Sequence, residues 1–257
     1  MLLRRTITFL AGVGLLLGPF SQRAGAPSLA EPAVAGHHVV VPSVVSHVRS
    51  LPPWRGGRLD AVAVAPSLRV YRTPGAGAGA YQRVAARNPW GQAIRFLVVG
   101  ASHTGAGPPW LRVLLGVGSN GAAGWVPRKE VRLRRTHDRI VVSLRARTLW
   151  HTRAGHLIQR FSVAVGATST PTTPGRFFVW AKLPADPHGA YGSYVLGLSG
   201  FSEVLTSWPG GGRMAIHGTD NPADRGQWGS HGCVRVYNPE MNRLRDVPMG
   251  TPVIIRY

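Results

Sequence analysis

A chain of 257 residues with 30 Lys and Arg against 10 Asp and Glu carries a formal charge of +20. Its 44% hydrophobic share is enough for ordinary globular cores and excludes wholesale disorder, and its single cysteine excludes an intrachain disulfide. The basic excess points either to polyanionic partners or to an arginine-rich, GC-biased composition. Nucleic acid is not an expected partner, because no recognition helix, zinc finger or RNA-binding motif is present.

Residues 1–30 have Arg4 and Arg5, an apolar run from Ile7 to Leu17, then small residues through Ala30. This is the pattern of an export signal, and the run falls short of the roughly twenty apolar residues of a permanent span. The chain is therefore expected outside the cytoplasm, at the cell wall, with membrane contact only through this segment if it stays uncleaved. Residues 31–58 hold Pro32, Pro42, Pro52, Pro53, Gly56 and Gly57 without apolar periodicity and read as an extended linker.

From 59 to 135 short apolar runs alternate with turn signals, predicting strands at Leu59–Val64, Leu68–Arg72, Ile94–Gly100, Trp110–Leu115, Gly124–Val126 and Glu130–Leu133. The glycine-alanine repeat at 75–80 is a loop, and Ser119-Asn120-Gly121 a hairpin turn. Trp110 and Trp125, flanked by valines, are expected in a core rather than on a ligand platform. From 136 to 257 the period-two pattern continues, with Gly155 turning one hairpin and prolines interrupting 168–176 before a strand at Phe177–Lys182. Tyr191–Gly200, Arg213–His217, Val234–Val236 and Val253–Tyr257 read as further strands. Asn238-Pro239-Glu240 predicts an N-cap and a helix running to about Asp246. The expected class is mainly β with one short helix.

The chemistry concentrates between His217 and Arg235, HGTDNPADRGQWGSHGCVR. Cys233 is a strong nucleophile only as thiolate, and a free thiol pKa of about 8.5 means that it needs a base. His217, at the end of a predicted strand, can face the thiol across a site. His231, two residues before it, is equally readable as a structural hydrogen-bonding residue. Gly232 permits a sharp turn whose amides could hold an oxyanion, and Ser230 could bond the local backbone and fix that turn. Arg235 could pin the loop or bind a carboxylate. Tyr191 and Tyr194 could line the cleft opposite the thiol or be buried in the fold. A zinc site of Cys233, His231, His217 and Asp220 or Asp224 is the rival reading, with neither a Cys-x-x-Cys pair nor a His-Glu-x-x-His helix to support it.

The pair IHGT and SHGCVR resembles the signature of the L,D-transpeptidase catalytic domain, and Thr-Pro-Gly-Arg-Phe at 173–177 resembles a further family segment, so the resemblance covers roughly 138–257. It implies a β-sandwich catalytic domain, Cys233 as acyl-accepting nucleophile, His217 as general base and the Gly218 carbonyl as the group orienting the imidazole. His231, Gly232 and Arg235 match the residues that shape and follow the cysteine loop. The implied activity is cleavage of the diaminopimelate–D-alanine bond of a peptidoglycan stem tetrapeptide and transfer of the acyl group to a neighbouring amine. With water as acceptor the same site is an L,D-carboxypeptidase, and a chain that had lost catalysis would be a wall-binding protein. No cofactor or metal is implied. Stem peptides, anionic wall polymers and carbapenem-type inhibitors are the implied partners. Residues 59–135 resemble, more weakly, a small bacterial SH3-like β-barrel ahead of such a domain.

Overall fold

The computed structural model describes residues 57–75, 79–103, 108–207 and 211–257, all within one compact unit. The expected signal, most of the linker and part of the 75–80 loop lie outside them. Seven strands come first: β1 (Arg58–Ala63), β2 (Ser67–Val70), β3 (Gln82–Ala85), β4 (Phe96–Ser102), β5 (Trp110–Leu114), β6 (Ala123–Pro127) and β7 (Val131–Thr136). Five of them form an antiparallel sheet in the order β6-β5-β4-β1-β7, and β2 pairs with β3 beside it. Trp110 and Trp125 are both buried, and Tyr71 meets Trp110 edge-on with ring centroids 5.0 Å apart.

Ten strands follow: β8 (Asp138–Ser143), β9 (Thr148–Arg153), β10 (His156–Ser162), β11 (Val165–Gly166), β12 (Gly175–Pro184), β13 (Tyr194–Phe201), β14 (Arg213–Thr219), β15 (Trp228–Ser230), β16 (Val234–Tyr237) and β17 (Pro252–Arg256). Eight make one ladder, β10-β9-β8-β17-β12-β13-β14-β16, while β11 and β15 form a short parallel pair. The ladder is hydrogen-bonded from end to end, with a register shift between Val179 and Ala181 where β12 meets β13, and side chains from both of its ends, Leu149 and Phe161 as well as Val234 and Val236, enter one core. Such a shift locally bends and twists a strand pair. Strands β3, β11 and β15 were not legible as apolar runs, being only two to four residues long.

Strand alternation sends successive side chains to opposite faces, and β12 uses both. Phe177 and Val179 enter a core shared with Ile140, Val142, Leu198 and Ile216. Phe178, Trp180 and Ala181 enter a second core made otherwise by the first sheet, including Phe96, Val98, Leu111 and Val113. A strand covered on both sides reads as an unbroken apolar run, which is why Phe177-Phe178-Val179-Trp180-Ala181 shows no alternation. The first sheet therefore has no core of its own that stops at its own strands. Polar ties reinforce the contact: the Asn120 side chain exchanges two 2.8 Å hydrogen bonds with the Phe201 backbone, and the Gln92 side-chain amide donates to the Lys182 carbonyl at 2.7 Å.

The expected helix is one turn, α1 (Asn238–Met241), continued by a 3-10 turn at Asn242–Leu244. Asn238 is not its cap. The Oδ1 atom accepts from the Ser193 amide and the Nδ2 atom donates to the Pro187 carbonyl, both at 2.8 Å, so the side chain that sequence rules assign to capping holds the 187–193 loop instead. Met241 and Leu244 plug the first core.

Phe178→Ala removes the ring at the centre of the shared core and should lower the unfolding free energy by about 3–5 kcal/mol. Calorimetry of the wild type should give one cooperative transition for both sheets, and two resolved transitions would contradict a core continuous through β12.

Candidate active site

The parallel pairing of β14 with β16 sets Ile216 beside Val234 and His217 beside Arg235. Ile216, Val234 and Val236 face the first core. Ala215, His217, Cys233 and Arg235 must then share the other face, since neighbours in register point the same way. A cleft of about 250 Å³ opens there, lined by His217, Cys233, Arg235, His231, Tyr191 and Arg213 among others. His217 is 4% exposed, Cys233 half-buried, and His231 exposed at the rim.

The imidazole is fixed by the backbone of its own strand, with Nδ1 2.8 Å from the Gly218 carbonyl. Carbonyl oxygen only accepts, so Nδ1 carries the hydrogen and Nε2 keeps its lone pair. The Tyr191 ring stands edge-on to the imidazole with centroids 5.2 Å apart. The loop carrying Tyr191 packs on Gly218 so closely that a Cβ at 218 would lie 2.3 Å from Asn238 Oδ1 and 2.7 Å from the Ser193 amide. A serine fits this position only if that loop withdraws.

Ser230 organises the cysteine loop. Its hydroxyl donates to the Cys233 carbonyl and accepts from the Gly232 amide, at 2.5 Å and 3.2 Å. The expected oxyanion role of Gly232 therefore needs correction, because its N–H is already engaged within the loop. Gly232 has φ +105°, a region that residues with a Cβ rarely adopt, so glycine is required by conformation. Arg235 pairs with Asp224 at 3.6 Å, and Asp224 also accepts from Thr219 at 2.9 Å.

Tyr194 does not join this site. It adjoins the first core, lies beneath the Arg245 guanidinium and borders a separate groove with Lys182 and Met249. Adjacent strand positions alternate faces, so it is Val195, not Tyr194, that stands in register with His217. Sequence reasoning also missed Arg213. Its guanidinium stacks 3.7 Å above the Trp180 ring, donates to the Leu198 and Gly116 carbonyls at 2.8 and 3.0 Å, and lines the cleft. Burial lowers its pKa to about 10, which leaves it charged at neutral pH. An isolated arginine in an arginine-rich chain carries no signal of such a role.

Burial decides the electrostatics of the pair. It pushes His217 down to about 4, with the Arg235 charge adding to the effect and the carbonyl of Gly218 opposing it. Burial raises the Cys233 thiol, against the pull of an Ala215 backbone hydrogen bond and of Arg235. At neutral pH the raised thiol and the lowered imidazole are both neutral, and the two share the cleft. Among the described residues no three His, Cys, Asp or Glu side chains converge to hold a metal ion.

Residues 137–255 match the family model of the L,D-transpeptidase catalytic domain. The YkuD proteins of Bacillus licheniformis and Bacillus subtilis are similar over 118 and 117 residues, at 36% and 34% identity, covering 46% and 45% of this chain. The chain spans 64% of the length of each. Among solved structures, the catalytic domain of the Enterococcus faecium L,D-transpeptidase acylated by ertapenem is similar at 26% identity, covering 48% of this chain and 98% of that one with a TM-score of 0.36.

A thiol held neutral by burial should alkylate slowly. The rate of iodoacetamide reaction with Cys233 should rise with pH through a midpoint above that of a free thiol in the same buffer. A neutral-pH plateau marking a preformed thiolate would contradict the electrostatics described.

Proposed function

We propose that this chain is a cysteine acyltransferase of peptidoglycan. Cys233 attacks the carbonyl joining diaminopimelate to the terminal D-alanine of a stem tetrapeptide, and an amine of a neighbouring stem resolves the thioester to form a cross-link. The observation that carries this reading is the placement of His217, its Nδ1 held by the Gly218 carbonyl, in one cleft with Cys233. The match of 137–255 to the L,D-transpeptidase catalytic domain supplies the substrate class.

The proton inventory follows from the neutral resting pair. His217 Nε2 takes the thiol proton as sulfur bonds to the carbonyl carbon, and the negative charge moves to the carbonyl oxygen. With the Gly232 amide engaged by Ser230, the Cys233 amide is the donor assigned to that oxygen. Collapse of the intermediate breaks the bond to D-alanine, and the imidazolium returns its proton to the leaving amine. The acceptor amine then gives its proton to His217 as it attacks the thioester carbonyl, and the thiol is restored. Water in place of the amine makes the same site an L,D-carboxypeptidase. Tyr191 and the Arg235 guanidinium line the cleft and are assigned to the stem peptide and its carboxylates. A strained β-lactam carbonyl of the carbapenem class meets the same nucleophile and should acylate Cys233.

In the same reading residues 1–30 export the chain, 31–58 form a linker to the wall, and 59–135 are an SH3-like module. Through Phe96, Asn120 and the Gly116 carbonyl this module buttresses β12, β13 and Arg213.

The test is liquid chromatography with mass detection of full-length protein incubated with tetrapeptide muropeptides. Wild type should release D-alanine and form cross-linked dimers. Cys233→Ala should abolish both, and His217→Asn should slow turnover by about 10²–10⁴-fold. Tripeptide without dimer would assign the carboxypeptidase reaction. No D-alanine release from folded wild type would replace the enzyme reading with a wall-binding one.

A further inference from the structure

A groove of about 460 Å³ is lined by residues of both sheets and shares no lining residue with the thiol cleft. The first sheet supplies Arg134 from β7, and the second supplies Lys182 from β12 and Tyr194 from β13. Register fixes how the second wall faces. Lys182 pairs with Leu196 and Pro184 with Tyr194, so Lys182 and Tyr194 share one face of the β12–β13 ladder. The junction is preset by Gln92, whose side chain accepts from the Lys182 amide at 3.1 Å and donates to the Lys182 carbonyl at 2.7 Å.

Among the described residues, no ion pair engages the Lys182 ammonium or the Arg134 guanidinium. The third cation of the lining, Arg95, is neutralised by the fully buried Asp60, which accepts from it at 2.5 and 2.8 Å. Asp60 also stands in register with Arg134, so one carboxylate is set against two guanidinium groups. Burial lowers the Lys182 pKa despite the pull of the exposed Asp246, and Arg245 adds a further positive charge over the Tyr194 ring. Burial raises the Tyr194 phenol, which therefore keeps its O–H as a donor at neutral pH. A partly desolvated ammonium gains more from a bound carboxylate than an exposed one does, because the local dielectric is lower.

We propose that this groove binds a small dicarboxylate, with one carboxylate on Lys182 and the Tyr194 hydroxyl and the other on Arg134. Two cations on walls from different sheets require two separated negative charges, and the planar Arg134 fork offers parallel N–H donors to a carboxylate. Val62, Ala93 and Met249 complete the lining with apolar surface for the methylenes that join the two carboxylates. A phosphate monoester concentrates about −1.5 to −2 in one position and leaves one of the two walls unanswered. Val195, not Tyr194, stands in register with His217, so the ligand sits on the opposite strand parity and leaves the thiol cleft open. The site is independent of the acyl-transfer reading.

The test is a heteronuclear NMR titration of the full chain at low ionic strength with glutarate and, separately, with acetate and inorganic phosphate. Glutarate should shift the backbone amides of Arg134, Lys182 and Tyr194 saturably, and acetate and phosphate should each bind at least about tenfold more weakly. Lys182→Gln and Arg134→Gln should each weaken glutarate by about tenfold or more, and Tyr194→Phe, which keeps the ring, by about fivefold. Arg134 is exposed, so its variant leaves the fold intact. Arg243→Gln, an exposed arginine outside the groove, should keep affinity within about twofold. Non-saturating shifts, saturable shifts confined to the thiol cleft, or phosphate or acetate binding as tightly as glutarate would overturn the proposal. So would wild-type affinity in Lys182→Gln and Arg134→Gln, or an equal loss in Arg243→Gln.

Discussion

The parallel ladder between β14 and β16 is the constraint from which the site derives. It places Ile216 and Val234 in the core, and thereby obliges His217, Cys233 and Arg235 to the opposite face. A slip of one residue in either strand would bury a charged or nucleophilic group and expose a branched apolar one, so the register is held by the full apolar content of that strand pair. Parallel neighbours need a crossover connection, and here the crossover spans Asp220 to Cys233 and includes the 3-10 turn at Pro222–Asp224 and the short strand β15. The stretch that joins the two candidate site residues is therefore also the topological link.

Around this ladder the supporting contacts are mostly backbone. The Gly218 carbonyl fixes the imidazole, Ser230 ties the cysteine loop to itself, and Asn238 binds the loop that brings Tyr191 over His217. Arg213 then couples the cleft to the first sheet through the Gly116 carbonyl and to β12 through the Trp180 ring. Burial that makes this site rigid also keeps it neutral at rest. In the proposed mechanism the nucleophile is thus generated during attack, when the His217 imidazolium is compensated by the negative charge developing on the substrate.

The strand content and the meeting of His217 and Cys233 in one cleft were legible because each rests on a local signal: alternation in Val131–Thr136 and Asp138–Ser143, and the dense grouping of the two residues within one stretch. What eluded the sequence depends on partners distant in the chain. Asn238 obeys the capping rule locally, yet its amide is claimed by a loop some fifty residues earlier. Tyr194 and Tyr191 are three residues apart and compositionally alike, and only strand parity and the bend at Gly192 separate the groove from the cleft. The apolar run Phe177–Ala181 looked like one buried strand. That it serves two cores could not be read without knowing what covers its second face.

The central claim is that catalysis passes through an acyl group on Cys233. Intact-protein mass spectrometry of full-length protein after exposure to a tetrapeptide muropeptide or a carbapenem tests it most directly, with peptide mapping of the adduct. The account predicts a mass increase of one acyl group that maps to the Cys233 peptide and vanishes in Cys233→Ala. An adduct that persists in that variant, or folded wild type that stays unmodified by both reagents, would contradict it.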